Sequence, residues 1–169
     1  MELKRFWRHV LMSPLKARRA FPPDTLDAIE RAVKAAETRH RGEVCFVVEA
    51  ELTTAQLWRS LDSRARALEV FATQGVWNTA ENNGALVYVL LADRKVEVVA
   101  DRGIDARVSQ AEWQAVCRLM EEHFRAGRFR DGAVAGVEAV AVLLAREFPA
   151  GEGERNELSD RPVVMCYDD

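Results

Sequence analysis

Oxygen-bearing side chains near the middle of the chain are suited to binding a metal ion. Asn78, Glu81, Asn82 and Asn83 lie close together, and Asp101 follows after two apolar runs. Carboxylate and amide oxygens are ligands that Ca²⁺ and Mg²⁺ prefer, and Ca²⁺ takes about six to eight of them. Backbone carbonyls and water could complete such a shell. These residues therefore form a candidate divalent-metal site, with Ca²⁺ or Mg²⁺ as its ion.

The residues at 82–84 also have a purely structural interpretation. Asparagine and glycine tolerate left-handed backbone geometry, and asparagine side chains hydrogen-bond to their own backbone in turns. The stretch could therefore be only a tight turn. From the residue types alone the turn is the favoured interpretation, and the metal site is the alternative.

Two apolar runs follow this stretch and predict how it is positioned. Residues 85–92 are almost wholly apolar, which is typical of a strand covered on both faces. Residues 95–100 alternate in character and predict a less buried strand, joined to the first by a tight hairpin. An antiparallel partner returns the chain to the end it came from. We therefore expect the loop 78–84 and Asp101 to lie close together.

The remaining elements predict the fold class. Residues 43–50 form a further apolar strand, and 53–75 form a helix with an interruption near 60–63. A strand, a helix and a strand of one sheet are normally parallel. Residues 133–148 are apolar on nearly every side and predict a deeply buried helix. The predicted fold is α/β and three-layered, with a small mixed β-sheet packed between helices.

The two ends of the chain differ from its middle. Residues 1–21 are basic, with apolar residues at helical spacing, and predict a short amphipathic helix. Such a helix can lie on an anionic membrane or an acidic partner, or it can cap its own domain, which is the favoured interpretation. Residues 22–149 form the predicted domain, and 150–169 predict an acidic, flexible tail. Within that tail, 162–167 could return as an edge strand.

Composition excludes several classes of protein. A chain of 169 residues fits one domain that can fold without metal or disulfides. The net charge of −3 is too small to indicate nucleic-acid binding. Three widely spaced cysteines are typical of a reducing compartment. The sequence shows no secretory signal and no apolar run of about 20 residues, so we expect a soluble cytoplasmic protein without a transmembrane segment.

Common catalytic signatures are absent from the sequence. It contains no Gly-x-Ser-x-Gly elbow, no phosphate-binding glycine loop and no His-Glu-x-x-His zinc motif. No cysteine and histidine form a credible catalytic pair. Nucleophilic catalysis by serine or cysteine is therefore unsupported, and no catalytic residue is predicted.

Several spaced motifs resemble one known family. They are Gly42-Glu43 in front of an apolar strand, Asn82-Asn83-Gly84 in front of a second, Gly103 after a third, and Phe129-Arg130-Asp131-Gly132 in front of an apolar helix. In this order they resemble the TPM domain family over residues 24–148. The resemblance implies a TPM-type domain. Many relatives carry a leader or a membrane anchor, so this chain would represent a soluble cytoplasmic branch.

The resemblance also implies a metal site, with one departure. In the family that the chain resembles, members bind divalent metal near this loop, one plant member is an acid phosphatase, and the position of Asn78 is usually aspartate. An amide offers a carbonyl oxygen but no negative charge, so metal affinity should fall, and it cannot act as a nucleophile or base. Glu81 could compensate in part. Asn82 and Asp101 are the strongest candidates.

Three functions follow from these observations. The favoured one is a non-enzymatic cytoplasmic TPM-type domain that acts by binding a protein partner and has a weak or degenerate metal site. The partner could be a membrane-bound relative reached through the basic N-terminal helix, with peripheral contact to the membrane itself. The alternatives are a Ca²⁺- or Mg²⁺-binding module and an acid phosphatase of low activity.

Overall fold

The structure, a computed structural model, describes residues 3–151 and 157–166. The first two residues and the parts of the predicted tail at 152–156 and 167–169 lie outside the described residues. The described part contains eight helices and four strands. The helices are α1 (Leu3–Val10), α2 (Pro14–Ala20), α3 (Pro23–Glu37), α4 (Thr54–Trp58), α5 (Ser63–Thr73), α6 (Arg102–Asp105), α7 (Gln110–Arg125) and α8 (Phe129–Glu147).

The four strands form one mixed sheet. They are β1 (Glu43–Glu49), β2 (Gly84–Leu90), β3 (Lys95–Ala100) and β4 (Val163–Met165). Their order in the sheet is β3-β2-β1-β4. β1 and β2 are parallel, β2 and β3 form an antiparallel hairpin, and β4 runs parallel to β1 at the edge. The predicted hairpin and the predicted C-terminal edge strand are both confirmed.

Both faces of the sheet are covered by helices. Along β1, Val44 and Phe46 belong to a core cluster with residues of α3, α7 and α8. Cys45 and Val47 belong to a second cluster with residues of α4 and α5. Successive side chains of a strand point to opposite faces, so a strand that is apolar at every position needs cover on both. The predicted three-layer α/β fold is confirmed.

The helical segment that connects β1 to β2 is interrupted where its sequence predicts. α4 ends at Trp58 and α5 begins at Ser63. Asp62 starts α5 as its N-cap, because its side chain accepts a hydrogen bond of 2.7 Å from the amide of Ala65. The crossover is therefore two helices, and α5 packs against β2 and β3.

α8 is a buried helix of 19 residues. Gly136 lets it approach α7 closely, because a Cβ at this position would overlap the side chain of Met120. Glu138 interrupts the otherwise apolar run and pairs with Arg39 at 2.6 Å. In the part of the chain that the structure describes, no helix is long and apolar enough to cross a membrane.

An ion pair is buried between α5 and the sheet. The Arg66 guanidinium contacts both carboxylate oxygens of Glu49, with Nη2 at 2.9 Å from Oε1 and Nε at 3.0 Å from Oε2. The Tyr88 hydroxyl also donates to the Glu49 carboxylate. A buried carboxylate is costly unless its lone pairs find donors, and these two side chains supply them. The contacts set the position of α5 on β1 and β2.

α1 packs on the domain through its polar side. Arg5 Nη2 lies 2.7 Å from the Asp93 carboxylate, in the hairpin between β2 and β3. The His9 ring is buried, and its Nδ1 accepts a hydrogen bond of 2.9 Å from the amide of Leu52. Its Nε2 therefore carries the proton and donates to Asp93 at 3.1 Å. Phe6 is the apolar residue of α1 that packs inward.

The other large apolar side chains of α1 face the solvent. Trp7 is 51% exposed and Leu11, directly after the helix, is 64% exposed. The exposed set has helical spacing and consists of Leu3, Trp7, Val10 and Leu11. An amphipathic helix normally buries its apolar side, so α1 has the opposite orientation to the usual one. The prediction that this segment caps its own domain is confirmed for its polar side only.

Replacement of Asp93 by asparagine should loosen α1. Burial opposes ionisation of this carboxyl, but hydrogen bonds from His9 and Arg5 outweigh burial and lower its pKa to about 2. Because the folded pKa lies below the usual 3.8, the stabilisation is present above pH 4 and is lost as pH falls toward 2. We expect Asp93→Asn to cost roughly 2 kcal/mol at pH 7 in urea unfolding.

The exposed Asp27 provides the control for this measurement. Asp27→Asn should change stability by only a few tenths of a kcal/mol. The difference between Asp93→Asn and the parent should shrink when unfolding is repeated near pH 2. A difference that stays constant from pH 7 to pH 2 would show that the Asp93 charge does not hold α1.

Candidate functional site

The loop 78–83 and Asp101 meet at one end of β2, as the sequence predicts. The amide of Asp101 donates to the carbonyl of Gly84 at 2.8 Å, which closes the hairpin end. The amide of Gly103, in α6, donates to the carbonyl of Asn82 at 2.9 Å. The start of α6 therefore holds the loop against the first residue of β2.

Close backbone packing requires glycine on both sides of this loop. A Cβ at Gly103 would lie 2.5 Å from the carbonyl oxygen of Asn82 and 2.8 Å from that of Glu81. A Cβ at Gly84 would overlap the carbonyl of Val76. Asn82 itself has φ of 53°, in the left-handed region that asparagine tolerates. The left-handed geometry and the close packing that the turn interpretation requires are therefore present at 82–84.

Two arginines occupy oxygens that were predicted to bind metal. The Glu81 carboxylate pairs with the Arg41 guanidinium. The Oδ1 atom of Asn82 accepts a hydrogen bond of 3.1 Å from Arg102 Nε. A divalent cation at this position would compete with both guanidinium groups for these oxygens.

The other two asparagines have different environments. Asn83 is buried, and its side-chain amide donates to the carbonyl of Arg41 at 2.6 Å. Its backbone amide donates to the hydroxyl of Thr79 at 3.1 Å. Asn78 lies at the exposed start of the loop. Asn83 therefore tightens the turn, whereas Asn78 faces the solvent.

Asp101 has one satisfied and one unsatisfied oxygen. It is the N-cap of α6, and its Oδ1 accepts a hydrogen bond of 2.7 Å from the amide of Arg102. Its Oδ2 is buried and has no hydrogen-bond partner among the described residues. An unpaired buried carboxylate oxygen is costly, because it has lost water and gained no donor. This atom is the feature of the loop that favours a cation.

The C-terminal segment adds a carboxylate that sequence reasoning missed. Glu157 Oε2 accepts a hydrogen bond of 3.0 Å from the amide of Ala80, in the middle of the loop. The amides of Glu157 and Leu158 in turn donate to the Glu43 carboxylate, at 3.1 and 3.2 Å. Glu157 belongs to the stretch that was predicted to be a flexible tail, and no local signal connects it to residue 80.

Carboxyl groups are crowded beneath this segment. Burial, followed by the negative charges of Asp160 and Glu43, raises the pKa of Glu37 to about 8. Burial also raises the pKa of Glu43, although the amides of residues 157 and 158 oppose it. Glu37 is therefore mostly protonated at neutral pH, which limits the repulsion between these neighbouring groups.

The donor set fits a divalent cation only in part. Asp101 Oδ2 and the Asn78 amide could contribute, but the oxygens of Glu81 and Asn82 contact arginines. Over the described ranges, no group of three or more His, Cys, Asp or Glu side chains could hold a metal ion. A metal site at these residues stays a prediction.

The mixed sheet is covered by helices on both faces, and glycines flank the loop that α6 holds at one end of it. These features define a class of α/β domain, and comparison with known proteins identifies the family. The sequence profile of the TPM domain matches residues 17–143. The chain therefore belongs to the TPM domain family, and the predicted resemblance is confirmed. No curated protein matches the chain.

Two solved structures are similar to this fold. The NMR structure of the BA42 protein from the psychrophilic bacterium Bizionia argentinensis has a TM-score of 0.73 and 28% sequence identity, and the match covers 83% of this chain and 92% of that one. The N-terminal domain of a protein from P. gingivalis, also solved by NMR, has a TM-score of 0.57 and 20% identity over 78% and 82% of the two chains. At that identity the second similarity is one of fold alone.

Replacement of Gly103 by alanine should displace the loop. The added Cβ would overlap the carbonyls of Asn82 and Glu81, and overpacking of this kind costs about 1–3 kcal/mol. We expect a lower melting temperature and shifted amide NMR signals for the loop. The control is Gly127→Asn, since Gly127 has φ of 74° and open space around it, and asparagine tolerates that conformation. Equal stability of Gly103→Ala and the parent would contradict this packing.

Proposed function

We propose that this TPM domain is a binding module that docks on an anionic membrane surface through the outward side of α1 and α2, beside a membrane-bound protein partner. The orientation of α1 carries the proposal. Arg5 and His9 hold its polar side against the domain, so its apolar side is left for another surface.

α2 extends the exposed apolar surface. Leu15 is 66% exposed, close in sequence to the exposed Leu11. Half of the ten large hydrophobic residues exposed in the described chain lie between Leu3 and Leu15. Contiguous exposed apolar patches mark interaction sites, whereas single exposed residues need no explanation. The docking surface therefore comprises the solvent-facing sides of α1, α2 and the turn between them.

The charges that α1 and α2 themselves carry are all positive. Residues 3–20 contain no aspartate or glutamate. The exposed cations are Lys4, Arg8, Lys16, Arg18 and Arg19. Each lysine or arginine close to an anionic bilayer contributes about 1 kcal/mol of attraction. Tryptophan and leucine beside lysine and arginine are the composition of helices that lie in the membrane interface.

A bilayer accounts for these features better than a protein groove does. It accepts apolar side chains from two short consecutive helices and needs no complementary shape. A cytoplasmic location is part of the proposal, because the cytoplasmic leaflet carries the anionic lipids that attract basic segments. We include a membrane-bound protein partner in the proposal because docking on the bilayer would concentrate the domain near such proteins.

Vesicle binding tests the proposal directly. The whole chain should sediment with vesicles that contain phosphatidylserine and not with pure phosphatidylcholine vesicles, and added salt should weaken the binding. Trp7→Glu combined with Leu11→Glu should reduce binding by at least about tenfold, because burial of each side chain contributes roughly 1.5–3 kcal/mol. The control is Trp77→Glu, at an exposed tryptophan outside α1 and α2.

Two results would contradict membrane docking. One is equal binding to neutral and anionic vesicles, and the other is no binding at millimolar lipid. In the second case a protein partner remains, and chemical cross-linking in cells that is lost in the Trp7→Glu, Leu11→Glu variant would support it.

A divalent-cation module is the second candidate, and the buried Asp101 Oδ2 favours it. A cation at this atom would satisfy its lone pairs and would draw the Asn78 oxygen toward the loop. The charge of the site is low, because Asn78 is neutral and Arg41 neutralises Glu81. We expect weak affinity in the natural chain.

Thermal unfolding with Ca²⁺ and Mg²⁺ titrated against a chelator tests this candidate. A ligand at a hundred times its Kd stabilises the native state by about 2.7 kcal/mol, which shifts Tm by several degrees. We expect a larger shift for Asn78→Asp than for the parent, because a carboxylate adds charge to the site. Adding Asp101→Asn to that variant should remove the shift while keeping the helix cap. No shift in Asn78→Asp would contradict a cation site at this loop.

A further inference from the structure

A cavity of about 480 Å³ opens at the other end of β2. It lies between α2, the hairpin after β2, and the junction of α7 with α8. β2 has seven residues, so roughly 20 Å of strand separates this cavity from the loop 78–83. In open α/β sheets, ligands bind outside the carboxyl ends of the strands, which is where this cavity lies.

The inner lining of the cavity is apolar. The rings of Phe124 and Phe129 stack with their centroids 5.3 Å apart, and Leu91 and Met12 complete this part of the wall. Pockets of about 300–1,000 Å³ with mainly apolar walls are typical of small-molecule sites. The lining therefore suits the hydrocarbon part of a small ligand.

The charged lining is strongly biased toward cations. Five basic side chains line the cavity, namely Lys16, Arg19, Arg94, Lys95 and Arg125. Glu121 supplies the single carboxylate of the lining. The Glu121 carboxylate lies 3.6 Å from Lys95 and 3.3 Å from Arg125, so it pairs with both side chains and offsets one of their two charges. Arg19 and Arg94 have no ion-pair or hydrogen-bond partner among the described side chains. Their charges are available to a ligand.

Arg94 occupies a position that suits a different residue better. Its φ is 55°, in the left-handed region where asparagine and glycine are preferred. The tight hairpin requires this conformation, and the arginine side chain makes no ion pair or hydrogen bond with the rest of the described chain. The strain points to a role for the guanidinium outside the folding of the domain.

We propose that this cavity binds a single-chain anionic amphiphile, with the hydrocarbon chain against Phe124, Phe129 and Leu91 and the anionic head group between Arg19 and Arg94. The apolar lining selects a hydrocarbon chain, and the unpaired guanidinium groups select a carboxylate or an equivalent anion. Lys16 and Arg19 belong both to this lining and to the proposed docking surface, so the two proposals are separated by their ligands: this site binds a dissolved monomer and needs no bilayer.

Three probes with the same chain and different head groups test the inference. Decanoate, 1-decanol and decyltrimethylammonium are titrated into the whole chain below their micelle concentrations, without vesicles, and followed by calorimetry. We expect decanoate to bind about tenfold more tightly than decanol, and no binding of the cation. Inorganic phosphate and sulfate should bind much more weakly than decanoate, because they lack the chain.

Matched variants locate the site. Arg19→Gln and Arg94→Asn should each weaken decanoate binding by about fivefold and leave decanol binding unchanged. Arg94→Asn should at the same time raise the melting temperature of the ligand-free protein, because asparagine tolerates the conformation at this position. Ala20→Leu should narrow the cavity and weaken decanoate and decanol alike. The control is Arg118→Gln, an exposed cation of α7 that does not line the cavity.

The outcomes are distinct from those of the vesicle experiment. The Trp7→Glu, Leu11→Glu variant should bind decanoate as the parent does, so either proposal can fail alone. Equal affinity for decanoate and decanol would overturn the inference, as would unchanged decanoate binding in both arginine variants. Equal affinity for sulfate and decanoate would also overturn it, since the apolar lining would then have no role.

Discussion

The buried carboxylate of Asp93 decides which side of α1 faces the solvent. Once the hairpin places this group beneath the N-terminal segment, it needs donors, and Arg5 and His9 supply them. These two residues are four apart and share one side of the helix. Most of the apolar residues lie on the opposite side, so satisfying Asp93 turns Trp7 and its neighbours outward. A charge that stabilises the domain thereby leaves the apolar side of α1 exposed.

The glycines of the family motif are explained by packing. A Cβ at any of them would meet a neighbouring atom: Leu144 at Gly42, Val76 at Gly84, Asn82 at Gly103 and His123 at Gly132. These contacts hold the loop 78–83, the strand starts and the junction of α7 with α8 in place. None of them depends on a metal ion. The glycines that this chain shares with the family motif therefore have a role in packing.

The two ends of β2 offer different chemistry. At its start, oxygens gather around the loop, but Arg41 and Arg102 already contact two of them. At its end, cations gather around an apolar cavity, and a single carboxylate, Glu121, opposes them. A central strand buried on both faces is rigid, so it holds these two regions apart.

The sequence by itself determined the strands, the layers and the turn, whereas the order of the strands came from the tertiary structure. Continuous apolar strands, the hairpin residues and the spacing of glycines are local signals, and they predicted the hairpin, the broken crossover helix and the closeness of Asn82 to Asp101. Only the tertiary structure decided how the N-terminal helix is oriented, because Arg5 meets a residue 88 positions away. Only the tertiary structure likewise shows the ion pair of Arg41 with Glu81 and the hydrogen bond from the amide of Ala80 to Glu157, because no local pattern connects these residues. Periodicity shows that a helix has an apolar side, but the partners available in the folded chain decide whether that side is buried.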